Sequence, residues 1–394
     1  MNAIFLVFAA ALVWISYRSF RGGIDYLRFF EREIERPTSE FTPIATIFAP
    51  CRGNDSGLEG NLRTVVSQDY PDFEVIFVVD NIDDSAVAVI NTLLNENVKM
   101  VVAPVSTDSG QKVENLRAAV KEADPRSKVF VFVDSDVRPG KTWLKSLVGP
   151  LADPAVGAAT GYRWFVSSDP SFASELRSSW NASIASALGP RTESNFCWGG
   201  SMAICRLTFD DLKIREKWKG TLSDDFTVTR TMKEADRPIV FVPGALTVSE
   251  GNCSFMQLLE FTTRQMKITR VYARHLWISS LVGSALFTGV MSAALLIVVF
   301  SNSLYMRIAS SLTLALVTIF SVGKAWLRTR AVRLVLTGHE AELRRQMIAQ
   351  LTLWFLTPAV FLYNSIAALF SKRIVWRGIV YELKSPTETV IILD

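Results

Sequence analysis

Two aspartates, Asp134 and Asp136, directly follow five apolar residues, Val129–Val133. A short, β-branched and aromatic run of this kind predicts a buried strand. Carboxylates one residue apart at the end of a strand can point into one crevice. Their oxygens suit Mg²⁺ or Mn²⁺, which complete their coordination with the phosphate oxygens of a substrate. The sequence therefore predicts a divalent metal site at Asp134 and Asp136.

A second group of acids follows another predicted strand, Phe73–Val79. Asp80 ends this run, and Asp83 and Asp84 come shortly after it. A carboxylate at Asp80 or Asp83 could accept hydrogen bonds from a base or a ribose. A solvated acidic turn would have the same composition, so the sequence leaves open which of these acids faces a ligand.

Lys112 stands at the start of a predicted helix, Val113–Glu122. Its ammonium could reach a phosphate or a sugar, although a surface lysine at a helix start fits the same pattern. Asp225 follows Ser223 and Asp224 before another helical run, which Ser223 or Asp224 could cap. A carboxylate in a partly dry crevice has a raised pKa and can act as a general base, and we assign that role to Asp225.

A basic amphipathic segment spans residues 255–275 and includes Arg264, Lys267 and Arg270. Such a segment predicts a helix lying at the membrane surface. Arg264 and Lys267 are also candidates for contacting a diphosphate or a lipid headgroup.

The elements that position these residues alternate between strands and helices over residues 40–254. This alternation predicts an α/β domain with a mostly parallel, Rossmann-like sheet covered on both faces. Ligands bind beyond the carboxyl ends of the strands in such sheets. Asp80, Asp134 and Asp136 all follow predicted strands, so we expect them at that edge.

The two ends of the chain are strongly apolar. Residues 1–20 predict a transmembrane anchor, because basic residues follow the apolar run and no convincing cleavage site is present. Residues 276–371 contain three apolar stretches near the length that crosses a bilayer, about 20 residues. Arginines after the second stretch favour a cytoplasmic catalytic domain.

The basic tail, residues 372–394, also favours the cytoplasm, which conflicts with a third full crossing. Pro358 interrupts the third stretch, so we favour a re-entrant hairpin there. A formal net charge of +4 gives no reason to expect binding to nucleic acid.

Taken together, these motifs resemble the inverting GT-A glycosyltransferases of the family 2 type, and among them the ceramide glucosyltransferases, over nearly the whole chain. The matching segments are Asn61–Leu62, Gln68–Pro71, Asp83–Ala86, Lys112 with Asn115–Leu116, Asp134–Asp136, Ser223–Phe226, and Trp376–Gly378 with Tyr381.

The resemblance implies transfer of glucose from UDP-glucose to the hydroxyl of a membrane lipid such as ceramide, forming a β-glycolipid. It implies that Asp80 or Asp83 contacts the nucleotide, that Asp134 and Asp136 hold the metal and diphosphate, and that Asp225 is the base.

The sequence departs from the family at its (Q/R)xxRW motif. The motif falls on Arg264–Ile268, where Lys267 replaces Arg and Ile268 replaces Trp. Lysine loses the bidentate phosphate contact of arginine. The departure leaves the acceptor open, and a hopanoid or diacylglycerol acceptor with another UDP-sugar is an alternative. A polysaccharide synthase is a second alternative, but the few membrane spans disfavour it. An inactive nucleotide-sugar-binding scaffold is a third, and the retained acids disfavour it.

Overall fold

The computed structural model describes residues 2–37, 39–55 and 57–392. They form two compact units. A helical unit contains residues 2–32, 169–186 and 252–371. An α/β unit contains residues 33–168, 187–251 and 372–392.

Helices alone build the helical unit, whereas strands and helices alternate through most of the α/β unit. The strands are β1 (Ala45–Pro50), β2 (Phe73–Val79), β3 (Val98–Val102), β4 (Val129–Val133), β5 (Ala158–Thr160), β6 (Arg163–Val166), β7 (Ser201–Cys205), β8 (Ile239–Phe241), β9 (Thr247–Glu250), β10 (Arg373–Trp376), β11 (Ile379–Ser385) and β12 (Glu388–Ile392). The helices are α1 (Asn2–Glu35), α2 (Leu58–Val66), α3 (Ser85–Asn91), α4 (Gln111–Ala119), α5 (Trp143–Val148), α6 (Phe172–Ala185), α7 (Arg206–Asp211), α8 (Ile214–Lys217), α9 (Asp224–Glu234), α10 (Phe255–Tyr272), α11 (Arg274–Phe300), α12 (Leu304–Val335), α13 (Glu340–Thr352) and α14 (Thr357–Phe370).

A seven-stranded sheet in the order β3-β2-β1-β4-β7-β5-β8 forms the centre of the α/β unit. Its strands run parallel except β7, which is antiparallel to both of its neighbours, β4 and β5. The predicted mostly parallel α/β sheet is confirmed. β6 and β9 form a separate parallel pair.

The register of this sheet decides which loops meet. β1 lies between β2 and β4, with Phe48 level with both Ile76 and Phe132, so the carboxyl ends of these three strands share one edge. Because β7 runs the opposite way, its first residue, Ser201, pairs with the last residue of β4, Val133. The segment before β7 therefore reaches the same edge as the loop after β4.

An aromatic layer packs one face of the sheet. Phe48 stacks on Phe132, and Trp218 meets both Phe132 and Phe209 edge to face. All four side chains are almost wholly buried. Burying an aromatic side chain of this size contributes about 2 kcal/mol to stability. This packing fixes the end of α8 against β4.

The C-terminal segment is a folded part of the α/β unit. β10, β11 and β12 form an antiparallel sheet that covers most of the predicted basic tail. The Tyr381 hydroxyl accepts the backbone N–H of Gln111 at 3.2 Å. Tyr381 and Leu383 are both buried, and these contacts fix β11 within the α/β unit.

In the part of the chain that the structure describes, three helices are long and apolar enough to cross a membrane, α1, α11 and α12, and a bent helix pair would make a fourth span if it crosses as one. α1 continues well beyond the predicted anchor, to Glu35. The third predicted C-terminal stretch falls on a bent helix pair. α13, with the short 3₁₀ turn after it, makes an angle of 59° with α14. Pro358 lies in the first turn of α14, where a helix tolerates proline.

Substituting Leu383 with alanine should lower the free energy of unfolding of the α/β unit by about 2–5 kcal/mol, because it empties a fully buried site in β11. Urea unfolding of the detergent-solubilised chain measures this change. The matched control is Val375→Ala in β10, since Val375 is 61% exposed. Equal stability of the two variants would contradict the packing of the C-terminal sheet described above.

Candidate active site

The ammonium of Lys112, whose side chain is only 16% exposed, lies among the acids at the charged edge of the sheet. Lys112, the second residue of α4, places its Nζ 2.7 Å from Asp134 Oδ1 and 3.2 Å from Asp224 Oδ1. Asp224, the first residue of α9, is almost fully buried. The loop after β4 and the start of α9 thus each place one carboxylate against the ammonium of Lys112, which lies on α4.

This ammonium affects the two acids differently. Burial alone would raise the pKa of Asp134, but Lys112 and Arg163 outweigh it and hold that pKa below its ordinary value. For Asp224 burial prevails over Lys112, and the nearby Asp225 adds to it, so its pKa is raised to about 6. Burial opposes ionisation of Lys112, yet the surrounding carboxylates raise its pKa.

Two glycines before β7 make room for these carboxylates. A Cβ on Gly199 would lie 2.2 Å from Asp224 Oδ2, and one on Gly200 would lie 2.2 Å from the Trp198 ring and 2.7 Å from Asp134 Oδ2. These distances are far below van der Waals contact, so any side chain here would displace the acids. Gly199 is therefore required by the closeness of the Asp224 carboxylate, and Gly200 by the Trp198 ring and the Asp134 carboxylate.

Arg163 is a site residue that the sequence analysis missed. It is the first residue of β6, and its guanidinium lies 3.4 Å from Asp134 and 3.3 Å from Asp136. The guanidinium also stacks over the Trp198 ring, 4.7 Å from the ring centre. The only local signal is a basic residue flanked by aromatic residues, which carries little information.

Asp225, the predicted general base, is the residue after Asp224 and lies close to Gly199. Its Oδ1 accepts the Phe226 N–H at 2.7 Å and the Ser223 hydroxyl, while its Oδ2 lies 3.4 Å from the Gly199 nitrogen. Ser223 is the N-cap of α9. Asp225 is partly exposed, so a substrate hydroxyl can approach the carboxylate.

The three acids after β2 have separate environments. Asp80 forms an ion pair with Arg52 at 2.8 Å and is mostly buried. Asp84 caps α3 through the Ala86 N–H and also accepts the Gly53 N–H. Asp83 is exposed in the turn between them. Of the predicted nucleotide contacts, Asp80 is therefore the one enclosed by the loop after β1.

Arg264 and Lys267 lie on α10, which belongs to the helical unit. The Arg264 guanidinium lies 5.7 Å from the centre of the Phe261 ring. Burial lowers the pKa of Lys267. Ile268, at the position of the family tryptophan, is buried.

Asp134 and Asp136 are the residues predicted to hold a divalent metal ion. Asp136 Oδ1 is buried and has no hydrogen-bond partner, so it offers a free hard ligand. Among residues 2–37, 39–55 and 57–392, no three His, Cys, Asp or Glu side chains gather into a metal cage. An ion held by one or two carboxylates and completed by phosphate oxygens fits this arrangement.

Replacing Lys112 with glutamine should cost about 3 kcal/mol of stability near pH 8, because it leaves two carboxylates without their shared cation. The cost should shrink near pH 5. Protonation of Asp224, whose raised pKa is already about 6, removes the repulsion in the folded state. Urea unfolding at both pH values measures this.

The control is Lys121→Gln, at an exposed position shortly after α4. A Lys112→Gln penalty that stayed constant between the two pH values would contradict the charge balance proposed for Lys112.

Comparison with solved structures finds glycosyltransferases of low sequence identity. A mannosyltransferase from Pyrobaculum calidifontis, solved with GDP-Man and Mn²⁺, is 17% identical, with 91% of this chain and 99% of that chain covered and a TM-score of 0.45. GalNAc-T7 with UDP, GalNAc and Mn²⁺ is 13% identical, with 58% and 51% covered and a TM-score of 0.41. Glucosyl-3-phosphoglycerate synthase from Mycobacterium tuberculosis, with Mn²⁺ and UDP-glucose, is 14% identical, with 57% and 77% covered and a TM-score of 0.36.

The family itself is identified by sequence. Residues 4–389 match the model of glycosyl transferase family 21, the ceramide glucosyltransferase family with a GT-A fold. The match includes every predicted site residue and the strands β10 and β11. It confirms the resemblance stated from the motifs, and the chain belongs to glycosyl transferase family 21.

Proposed function

We propose that this protein transfers glucose from UDP-glucose to the hydroxyl of a ceramide-like membrane lipid, with inversion at the anomeric carbon. The carrying observation is the gathering of Asp134, Asp136, Lys112 and Asp225 at one sheet edge of a family 21 chain. Helices long and apolar enough to cross a membrane support a lipid acceptor.

The donor side of the reaction follows from the charges. Asp134 and Asp136 would hold Mg²⁺ or Mn²⁺, whose positive charge stabilises the departing diphosphate. Lys112 and Arg163 already lie against these acids, and their charges also favour an anionic phosphate there. Asp80 accepts hydrogen bonds from the nucleoside, replacing its contact with Arg52.

The acceptor side depends on Asp225. Its carboxylate takes the proton from the lipid hydroxyl as that oxygen attacks the anomeric carbon from the face opposite the nucleotide. An α-linked donor then gives a β-glycoside. Arg264 and Lys267 on the basic helix α10 are candidates for the lipid headgroup or the donor diphosphate.

We expect Asp225→Asn to reduce transfer of radiolabelled sugar from UDP-glucose to extracted lipids by at least about a hundred-fold, because the base is lost. The assay uses the full chain with Mn²⁺ or Mg²⁺ and a panel of UDP-sugars and lipid acceptors. Exposed Asp211→Asn is the control. EDTA should abolish transfer, and either ion should restore it.

Each outcome of that assay has a distinct meaning. Label in a lipid made by wild type and lost in Asp225→Asn supports the proposal and names the donor and acceptor. Label in a long polymer would instead indicate a polysaccharide synthase. Nucleotide binding without transfer from any donor would indicate an inactive scaffold.

We further propose that the α/β unit lies on the cytoplasmic side. Residues 187–251 and 372–392 belong to the same α/β unit, so the chain between them crosses the membrane an even number of times. If α11 and α12 cross and return, the bent pair of α13 and α14 makes no net crossing and is re-entrant. The arginines in the last turns of α12 and in α13 favour the cytoplasm.

A cysteine introduced at exposed Glu388 should be labelled by a membrane-impermeant maleimide only in inside-out sealed vesicles. One introduced at Asn302, between α11 and α12, should be labelled only in right-side-out vesicles. The parent chain controls for the native cysteines, of which Cys51, Cys197 and Cys253 are buried. Labelling of both positions from the same side would contradict this topology.

A further inference from the structure

The tip of the hairpin between β10 and β11 has an unfavourable backbone. Trp376 pairs with Ile379, so Arg377 and Gly378 form a two-residue loop. Both have positive φ, 51° and 79°, which defines a type I′ turn. Asn or Gly would adopt the first position at lower cost than arginine. A strained arginine at a tip suggests that its side chain is needed.

The guanidinium of Arg377 has a fixed direction. It forms two contacts with Asp55, one of them joining Nη1 to Oδ1 at 2.8 Å. Asp55 belongs to the loop between β1 and α2, the loop whose Arg52 pairs with Asp80. Arginine has five N–H donors, and these contacts leave others directed elsewhere. Its side chain keeps 39% of its surface exposed.

Helix α2, which follows the loop containing Asp55, is hydrogen-bonded to the Asp134–Asp136 segment through Asn61. The Asn61 amide donates to the Ser135 carbonyl at 3.1 Å, and Arg138 Nε donates to Asn61 Oδ1 at 3.0 Å. The charges of Asp136 and Asp134 act on Arg377 together with Asp55, its strongest partner, and help to raise its pKa.

Strand β11 of the same hairpin is anchored next to Lys112. Tyr381 accepts the N–H of Gln111, the residue before Lys112, and is itself buried. A Cβ on Gly220 would lie 2.4 Å from the Thr387 carbonyl oxygen, so the segment between β11 and β12 also packs closely. The hairpin is therefore held at its tip by Asp55 and, along β11, by the contact between Tyr381 and Gln111.

We infer that Arg377 is a donor-binding residue whose guanidinium, oriented by Asp55, contacts the diphosphate of the nucleotide-sugar. This inference rests on the proposed nucleotide-sugar donor. It assigns a binding role to the C-terminal hairpin, and it accounts for an arginine at a position where the backbone favours asparagine or glycine. The competing interpretation is a latch, in which Arg377 serves only to hold Asp55.

The two interpretations differ in the effect of removing each partner. The test measures the Kd of UDP, or of GDP if wild type binds GDP more tightly, for the full chain in detergent with Mn²⁺. Arg377→Ala should weaken binding about ten-fold or more, the value of a charge-assisted contact. Arg377→Lys should lie between it and wild type, because charge remains without the fork.

Asp55→Asn keeps the guanidinium of Arg377, so it should weaken nucleotide binding by no more than about five-fold, which corresponds to the loss of one exposed ion pair. Arg373→Ala is the control, since Arg373 is on β10 and pairs weakly with Glu382 at 3.6 Å. An Asp55→Asn loss equal to that of Arg377→Ala would establish the latch and overturn the inference. So would an unchanged Kd in Arg377→Ala. Absence of binding by wild type would instead refute the proposed donor, and the inference with it.

Discussion

Mutual repulsion among carboxylates is the constraint on which this site depends. Asp134 and Asp224 approach from different elements into a nearly dry crevice, and Asp136 and Asp225 lie next to them in sequence. Ionised carboxylates this close are tolerated only where cations offset their charge. Lys112 contacts two of them and Arg163 contacts two, so the acids are held in place before any ligand binds.

The sheet topology follows this requirement. Parallel strands bring the ends of β2 and β4 to one edge, and the reversed strand β7 brings Gly199 and Gly200 between the acids of β4 and α9. Each glycine is needed because a Cβ would collide with a carboxylate oxygen. The buried Trp218 fixes the start of α9 from beneath, since its indole N–H donates to the Asp224 carbonyl at 3.1 Å. Packing and electrostatics therefore determine the same geometry.

The sequence predicted the parts of this arrangement that depend on local patterns. β2 and β4 begin and end where the apolar runs do, because buried parallel strands are continuously apolar. The order of strand ends then placed Asp80 and Asp134 at one edge. Arg163 pairs with an acid 29 residues away and Arg377 with one 322 residues away. Contacts of this separation leave no periodic signal, so neither residue could be assigned a partner.

The departure at the (Q/R)xxRW motif is best understood from packing. Ile268 is buried, so the position is filled by a compact side chain and cannot offer a flat aromatic contact. The nearby Trp277 is also committed, because its indole N–H donates to the Ser365 carbonyl at 3.1 Å and the Arg270 guanidinium lies 5.5 Å from its ring centre. The catalytic acids keep the family pattern while this stretch does not. In the proposed mechanism the acids act on the donor and the proton, whereas the motif tryptophan would contact the acceptor, so we expect the difference to change which acceptor is bound and to leave the type of reaction unchanged.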